Sequence, residues 1–141
     1  MKKSFALVSV LFLAIVFFSS CKNEDSNPFS LPEVTAPVIA TNSTTENFSY
    51  SIVAKNYTKQ EVYNIQVVSD SIKISYATNS VTSGQMEVLV ELKDGTKLVS
   101  RNISGVLAAN DYKKIKSPLS KVTLNYSNFT GQFALSLNNA F

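Results

Sequence analysis

At 141 residues, with 45% apolar side chains, the chain has the size of one domain plus a tail. Histidine and tryptophan are missing and only one cysteine is present, which removes the commonest general base and metal ligand and any internal disulfide. The net charge of +3 falls to about +1 without Lys2 and Lys3, so nucleic acid is a poor candidate partner.

The chain opens on Lys2 and Lys3, followed by an apolar run from Phe5 to Phe18 and the small residues Ser19 and Ser20. Positive start, apolar middle and small-residue end predict a secretory signal over residues 1–20. The run is roughly 14 residues, short of the ~18–20 that span a bilayer core. Cys21, directly after Ser19-Ser20, resembles the lipobox cysteine of bacterial lipoproteins, with Phe18 in place of the usual leucine. That resemblance implies acyl chains on Cys21 and cleavage ahead of it by signal peptidase II. Lys22-Asn23-Glu24-Asp25 resembles the charged segment that sends many Bacteroidetes-type lipoproteins to the cell surface. It implies an outer-membrane protein facing outward, with a periplasm-facing orientation as the alternative.

Residues 21–46 read as the lipidated cysteine and a flexible tether. They are rich in Ser, Thr and Asn and carry Pro28, Pro32 and Pro37. Such a segment buries too little apolar surface to offset its ordering entropy. Its last part, Val34 to Thr41, can pair as an edge strand, where Pro37 is tolerated.

From Asn47 the dominant period is two. Phe48, Tyr50 and Ile52 alternate with polar neighbours, as do Ile65 and Val67, then Ile72, Ile74 and Tyr76. Met86, Val88, Val90 and Leu92 continue the pattern, followed by Val122, Leu124 and Tyr126, and by Phe133, Leu135 and Leu137. Clean alternation predicts strands with one wet and one dry face. Residues 47–141 are therefore expected to form an all-β antiparallel sandwich of about seven to nine strands. Asp94-Gly95 predicts a hairpin tip. A two-residue loop would set Lys97 and Arg101 on the face of Val88 and Val90. A three-residue loop with Gly95 left-handed instead pairs Leu92 with Thr96 and sets Leu98 beside Val90. Burying cations costs several kcal/mol, which favours the three-residue loop.

The order of these signals resembles the bacterial immunoglobulin-like domains of cell-surface and adhesion-related proteins. It rests on an alternating strand ending in Lys55-Asn56-Tyr57-Thr58, the Asp-Gly hairpin, and Gly105-Val106-Leu107-Ala108-Ala109-Asn110-Asp111 read as a turn. The resemblance implies an immunoglobulin-like fold and a role at the cell surface.

Catalytic constellations are not evident. Cys21 is consumed by the expected lipid, so no thiol nucleophile remains. Glu87 and Glu91 share an outward strand face, too far apart to work as a close carboxylate pair. The glycines are isolated turn residues, and neither a phosphate loop nor a calcium loop is present. No enzyme activity, cofactor or metal is therefore expected. Asp70-Ser71-Ile72 resembles the short O-glycosylation motif of Bacteroidetes exported proteins, which marks Ser71. Tyr57 and Tyr63, near strand ends, and Tyr112, in the turn after Ala109, are candidate ligand contacts, since aromatic rings stack on sugars and anchor protein partners. The function expected is a non-catalytic, surface-displayed binding or adhesion module for a protein or glycan. The alternative is an accessory subunit of an outer-membrane secretion, uptake or fimbria-like assembly.

Overall fold

Period-two alternation does become strand, but in fewer and longer pieces than the local breaks suggest. The computed structural model describes residues 36–140, so the signal segment, Cys21 and most of the expected tether lie outside it. Six strands follow in order: β1 (Val38–Ser43), β2 (Asn47–Val67), β3 (Ser71–Leu92), β4 (Lys97–Ile103), β5 (Ala108–Lys114) and β6 (Leu119–Asn139). Every pairing is antiparallel, and the described residues contain no helix.

β2, β3 and β6 are 21, 22 and 21 residues long, and each serves both layers of a sandwich. The first half of β2, the second half of β6 and the first half of β3 pair side by side, with β1 and β5 on the flanks. Past a crease, the other halves of the same three strands pair again and take β4 as a neighbour. A five-stranded layer thus folds back over a four-stranded one, and the fold is an antiparallel β-sandwich.

The crease sits where the ladder slips. Register shifts fall between Ala54 and Lys59 on β2 and between Asn79 and Gln85 on β3. Asn56 (φ 52°), Ser80 (φ 54°), Gly84 (φ 74°) and, on β6, Asn128 (φ 50°) take left-handed conformations there. Bulges of this kind bend a strand and sharpen its twist without ending it. The Asn, Ser and Gly residues that looked like breaks between strands are bends within them, because the same partners resume pairing beyond.

Inward positions of both layers meet in one core. Phe48, Tyr50, Ile52, Ile72, Ile74 and Leu135 face Ile65, Val67, Val88, Val90, Val122 and Leu124, all 8% exposed or less. Ring contacts tie the layers directly, with Tyr63 lying 5.4 Å from Tyr50 and 5.6 Å from Phe48. Each such side chain contributes roughly 1.5–3 kcal/mol on burial, so packing holds the sandwich without a crosslink.

The hairpin between β3 and β4 has the three-residue form. The Gly95 N–H donates to Leu92 O (3.0 Å), the Leu92 N–H donates to Thr96 O (2.9 Å), and Gly95 has φ 83°. One detail differs from expectation. A further bulge beyond Glu91 pairs Val90 with Val99 rather than Leu98, and Val88 with Arg101. Arg101 stays exposed in that register because β4 is the outer strand of its layer.

β1 follows Pro37, whose missing amide proton therefore removes nothing from the ladder. All six of its residues are exposed. Ile39 pairs with buried Ile52 and turns inward, yet it is 37% exposed, since the four-stranded layer ends at β2 and offers nothing beneath β1.

Candidate binding site

The outward positions of the five-stranded layer form an orderly surface. Asn42, Ser49, Ser136, Ser75 and Asn110 stand in register across β1, β2, β6, β3 and β5. Two residues along each strand runs a second row, Ala40, Ser51, Ala134, Ala77 and Ala108. Longer side chains border both rows. Asn47, Asn138, Lys73 and Tyr112 stand on one side, and Val38, Val53, Gln132 and Asn79 on the other. Small residues between taller ones make a trough, an open groove of about 500 Å³. It crosses four strand spacings of ~4.8 Å, a span of about 19 Å.

The trough can exchange hydrogen bonds. A serine hydroxyl both donates and accepts, and an asparagine amide offers a carbonyl oxygen and two N–H donors. Among the described residues, the only side-chain hydrogen bond into these rows is from Asn138 Nδ2 to Ser136 Oγ (2.7 Å). The outer face of the four-stranded layer differs. There Gln60 Nε2 donates to Asn125 Oδ1 (2.8 Å), Asn125 Nδ2 donates to Glu87 Oε2 (2.8 Å), and Lys121 Nζ lies 2.7 Å from Glu91 Oε2. Several polar side chains of that face thus pair with one another, whereas those of the trough, Ser136 apart, have no side-chain partner among the described residues.

Of the tyrosines marked in the sequence, Tyr112 borders the trough. It lies within β5 rather than in a turn, because pairing with Lys73 on β3 carries Ala109-Asn110-Asp111 into the ladder despite their turn propensity. The residue is 66% exposed, with Lys73 Nζ 5.8 Å from the ring centroid. Tyr57 and Tyr63 stand elsewhere, inside β2. Their hydroxyls donate to buried Glu61, from Tyr57 to Oε1 (2.6 Å) and from Tyr63 to Oε2 (2.8 Å). Tyr50 also donates to Oε2 (2.8 Å), and Tyr126 donates to the Tyr50 hydroxyl (2.9 Å). The cluster joins the two layers at the side where β1 overhangs. Burial works to raise the Glu61 pKa, but the Tyr57, Tyr50 and Tyr63 hydroxyls outweigh it and hold the carboxyl below its ordinary value. Counting back by twos from Ile65 puts Tyr63 and Glu61 on the inward face, a signal available in the sequence alone.

Ser71 opens β3, half-buried and paired with Lys114. Its hydroxyl donates to the Ala140 carbonyl. Cys21 lies outside the described residues, which hold no cluster of His, Cys, Asp and Glu able to bind a metal ion.

No protein-family model and no curated protein matches the sequence. Some solved structures show a distant likeness to the chain. One comes from work on Bacillus endospore appendages described as disulfide-linked pili, with 12% identity, a TM-score of 0.43, and coverage of 79% of this chain and 97% of that one. Another is the C-terminal CBM6 of LamC, a marine laminarinase from Zobellia galactanivorans, with 14% identity, a TM-score of 0.41, and coverage of 74% and 92%. A third is TmCBM61, solved in complex with β-1,4-galactotriose, with 14% identity, a TM-score of 0.34, and coverage of 73% and 66%. Likeness at this distance carries neither ligand nor assembly from one protein to another.

Proposed function

We propose that the chain is a non-catalytic binding module that holds an extended, hydroxyl-rich polymer, a glycan chain, along the trough. The observation that carries this reading is the row Asn42, Ser49, Ser136, Ser75 and Asn110, whose side chains cross five strands in register with almost no partners of their own. Sugar hydroxyls donate and accept as these groups do, and small side chains let a ligand lie close to the sheet. Ala134 is exposed at the centre of the trough, so Ala134→Leu fills it without disturbing the core. The variant is expected to keep its melting temperature and to lose about tenfold or more in glycan affinity by titration calorimetry, about 1.4 kcal/mol. Unchanged affinity would place the ligand elsewhere.

The same proposal puts the module at the outer membrane, facing outward, through acyl chains on Cys21. Each buried methylene contributes about 0.8 kcal/mol, so two or more chains hold stably. Cys21→Ser is expected to abolish palmitate labelling and partitioning into Triton X-114, with no change in the stability of the domain. A labelled mutant that still enters the detergent phase contradicts the lipid anchor.

One observation favours a second reading, a subunit of an envelope assembly. β4 carries Lys97 and Arg101 and β5 carries Lys113 and Lys114, charges that discourage edge-to-edge pairing. The outer edge of β2 from Val62 to Val67 has no charge, and Val62 is 51% exposed. Such an edge is open to a strand from another chain.

A further inference from the structure

We infer that the glycan held by the trough is acidic, its carboxylate or sulfate group seated at one side beside Tyr112; this rests on the trough being a glycan site. Pairing register settles which charges the five-stranded layer turns outward. Along the paired segments of β1, β2, β6, β3 and β5 the outward charged residues are Lys73 and Lys114, with no acid among them, and exposed Lys55 follows at the crease. Asp111 and Lys113 alternate to the other side, where their side chains pair at 3.1 Å. Among the described residues, neither Lys73 nor Lys114 has a carboxylate partner.

Position gives these two cations a shared target. Lys73 and Tyr112 form the bordering row next to Ser75 and Asn110, and Lys114 lies two residues further along β5. With Ser71, Asn139 and the strand-edge residue Lys113 they line a groove of about 620 Å³ that adjoins the trough. A sugar ring on the exposed face of Tyr112 would bring an acidic substituent between two ammonium groups. Lysine binds as a point charge and accepts carboxylate and sulfate alike, so the structure assigns the charge of the ligand and leaves the acid group to experiment. Both cations are solvated, and their attraction for the ligand is screened by salt.

The test uses the full chain in detergent micelles, with polygalacturonate, a sulfated galactan and a neutral galactan of matched length as probes. At least one acidic polymer is expected to bind about tenfold tighter than the neutral one, and to weaken about tenfold on moving from low to high salt. Lys73→Gln with Lys114→Gln should remove most of that preference. Lys97→Gln, an exposed lysine of the other layer, should leave it intact. Ala134→Leu should weaken all binding. Preference for polygalacturonate or for the galactan sulfate identifies the acid group, and either supports the inference. Equal binding of the neutral polymer without salt dependence overturns the acidic ligand while the glycan site stands. A loss with Lys97→Gln as large as with the pair reduces the effect to general surface attraction and overturns it too. If none of the three polymers binds, both readings fail.

Discussion

Gly84→Ala should cost about 3–5 kcal/mol and bring the protein close to unfolding, whereas Gly95→Ala should cost only about 1–2 kcal/mol. Both glycines are left-handed, at φ 74° and 83°, so conformational strain alone treats them alike. Their surroundings differ. A Cβ on Gly95 meets nothing within 4 Å, because the hairpin tip stands in solvent. A Cβ on Gly84 would lie 2.2 Å from Asn128 O and 2.5 Å from Ser127 O. Those are main-chain atoms of β6 at the crease, which cannot rotate aside as a flexible side chain can. Relief requires the strands to separate where all three long ones bend. Urea unfolding of the two variants should give similar m-values and widely different midpoints. A Gly84→Ala protein as stable as Gly95→Ala would mean that the close approach of β3 to β6 does not exist.

Glu61→Ala should destabilise by about 2–4 kcal/mol. The loss is not that of a charge alone. Three tyrosine hydroxyls would lose their acceptor, and two of them belong to half-buried rings packed between the layers. Glu61→Gln, which keeps one carbonyl oxygen, should be milder. The pH profile gives a separate reading. Since the folded carboxyl is held below its ordinary value, its contribution is fully present above the unfolded value of about 4.3 and is lost as pH falls through the folded one. The acid limb of the Glu61→Gln profile should therefore be flatter than that of the wild type. At the other extreme, burial first, and then the bond to Glu61, pushes Tyr57 up to about 12. Burial likewise raises Tyr50, Tyr63 and Tyr126. These phenols stay neutral in the fold while unfolded ones ionise near 10, so stability falls as pH rises past about 10. Absorbance from these tyrosinates should appear together with unfolding and not ahead of it.

Much of the fold was legible because it is local. The alternation at Phe48, Tyr50 and Ile52, or at Met86, Val88 and Val90, states which face is buried without reference to any partner. Asp94-Gly95 names its own turn. What escaped a local reading depends on pairs distant in sequence. Asn56 and Asn128 look like ends of strands, and only the resumption of pairing beyond them shows a bend. Asn110 and Asp111 favour a turn until β3 provides a ladder for them. The trough is invisible for the same reason. Ser49, Ser75 and Ser136 are ordinary solvent-facing serines one by one, and become a row only through the registers of three separate pairings. Glu61 stood within reach of the sequence pattern, but one acid at an apolar period reads as an interruption until three hydroxyls are seen to converge on it.

The exposure of β1 has a consequence under load. This strand is held by its ladder to β2 and places no side chain in the core. If the molecule is drawn by its amino end, β1 is the first element to give way, and its six residues release about 20 Å of chain while the sandwich stays whole. Ala40 and Asn42, which form one end of the trough, leave with it. In the module proposed above, tension at the amino end and grip along the trough would be mechanically opposed: a strong pull shortens the very surface proposed to hold on.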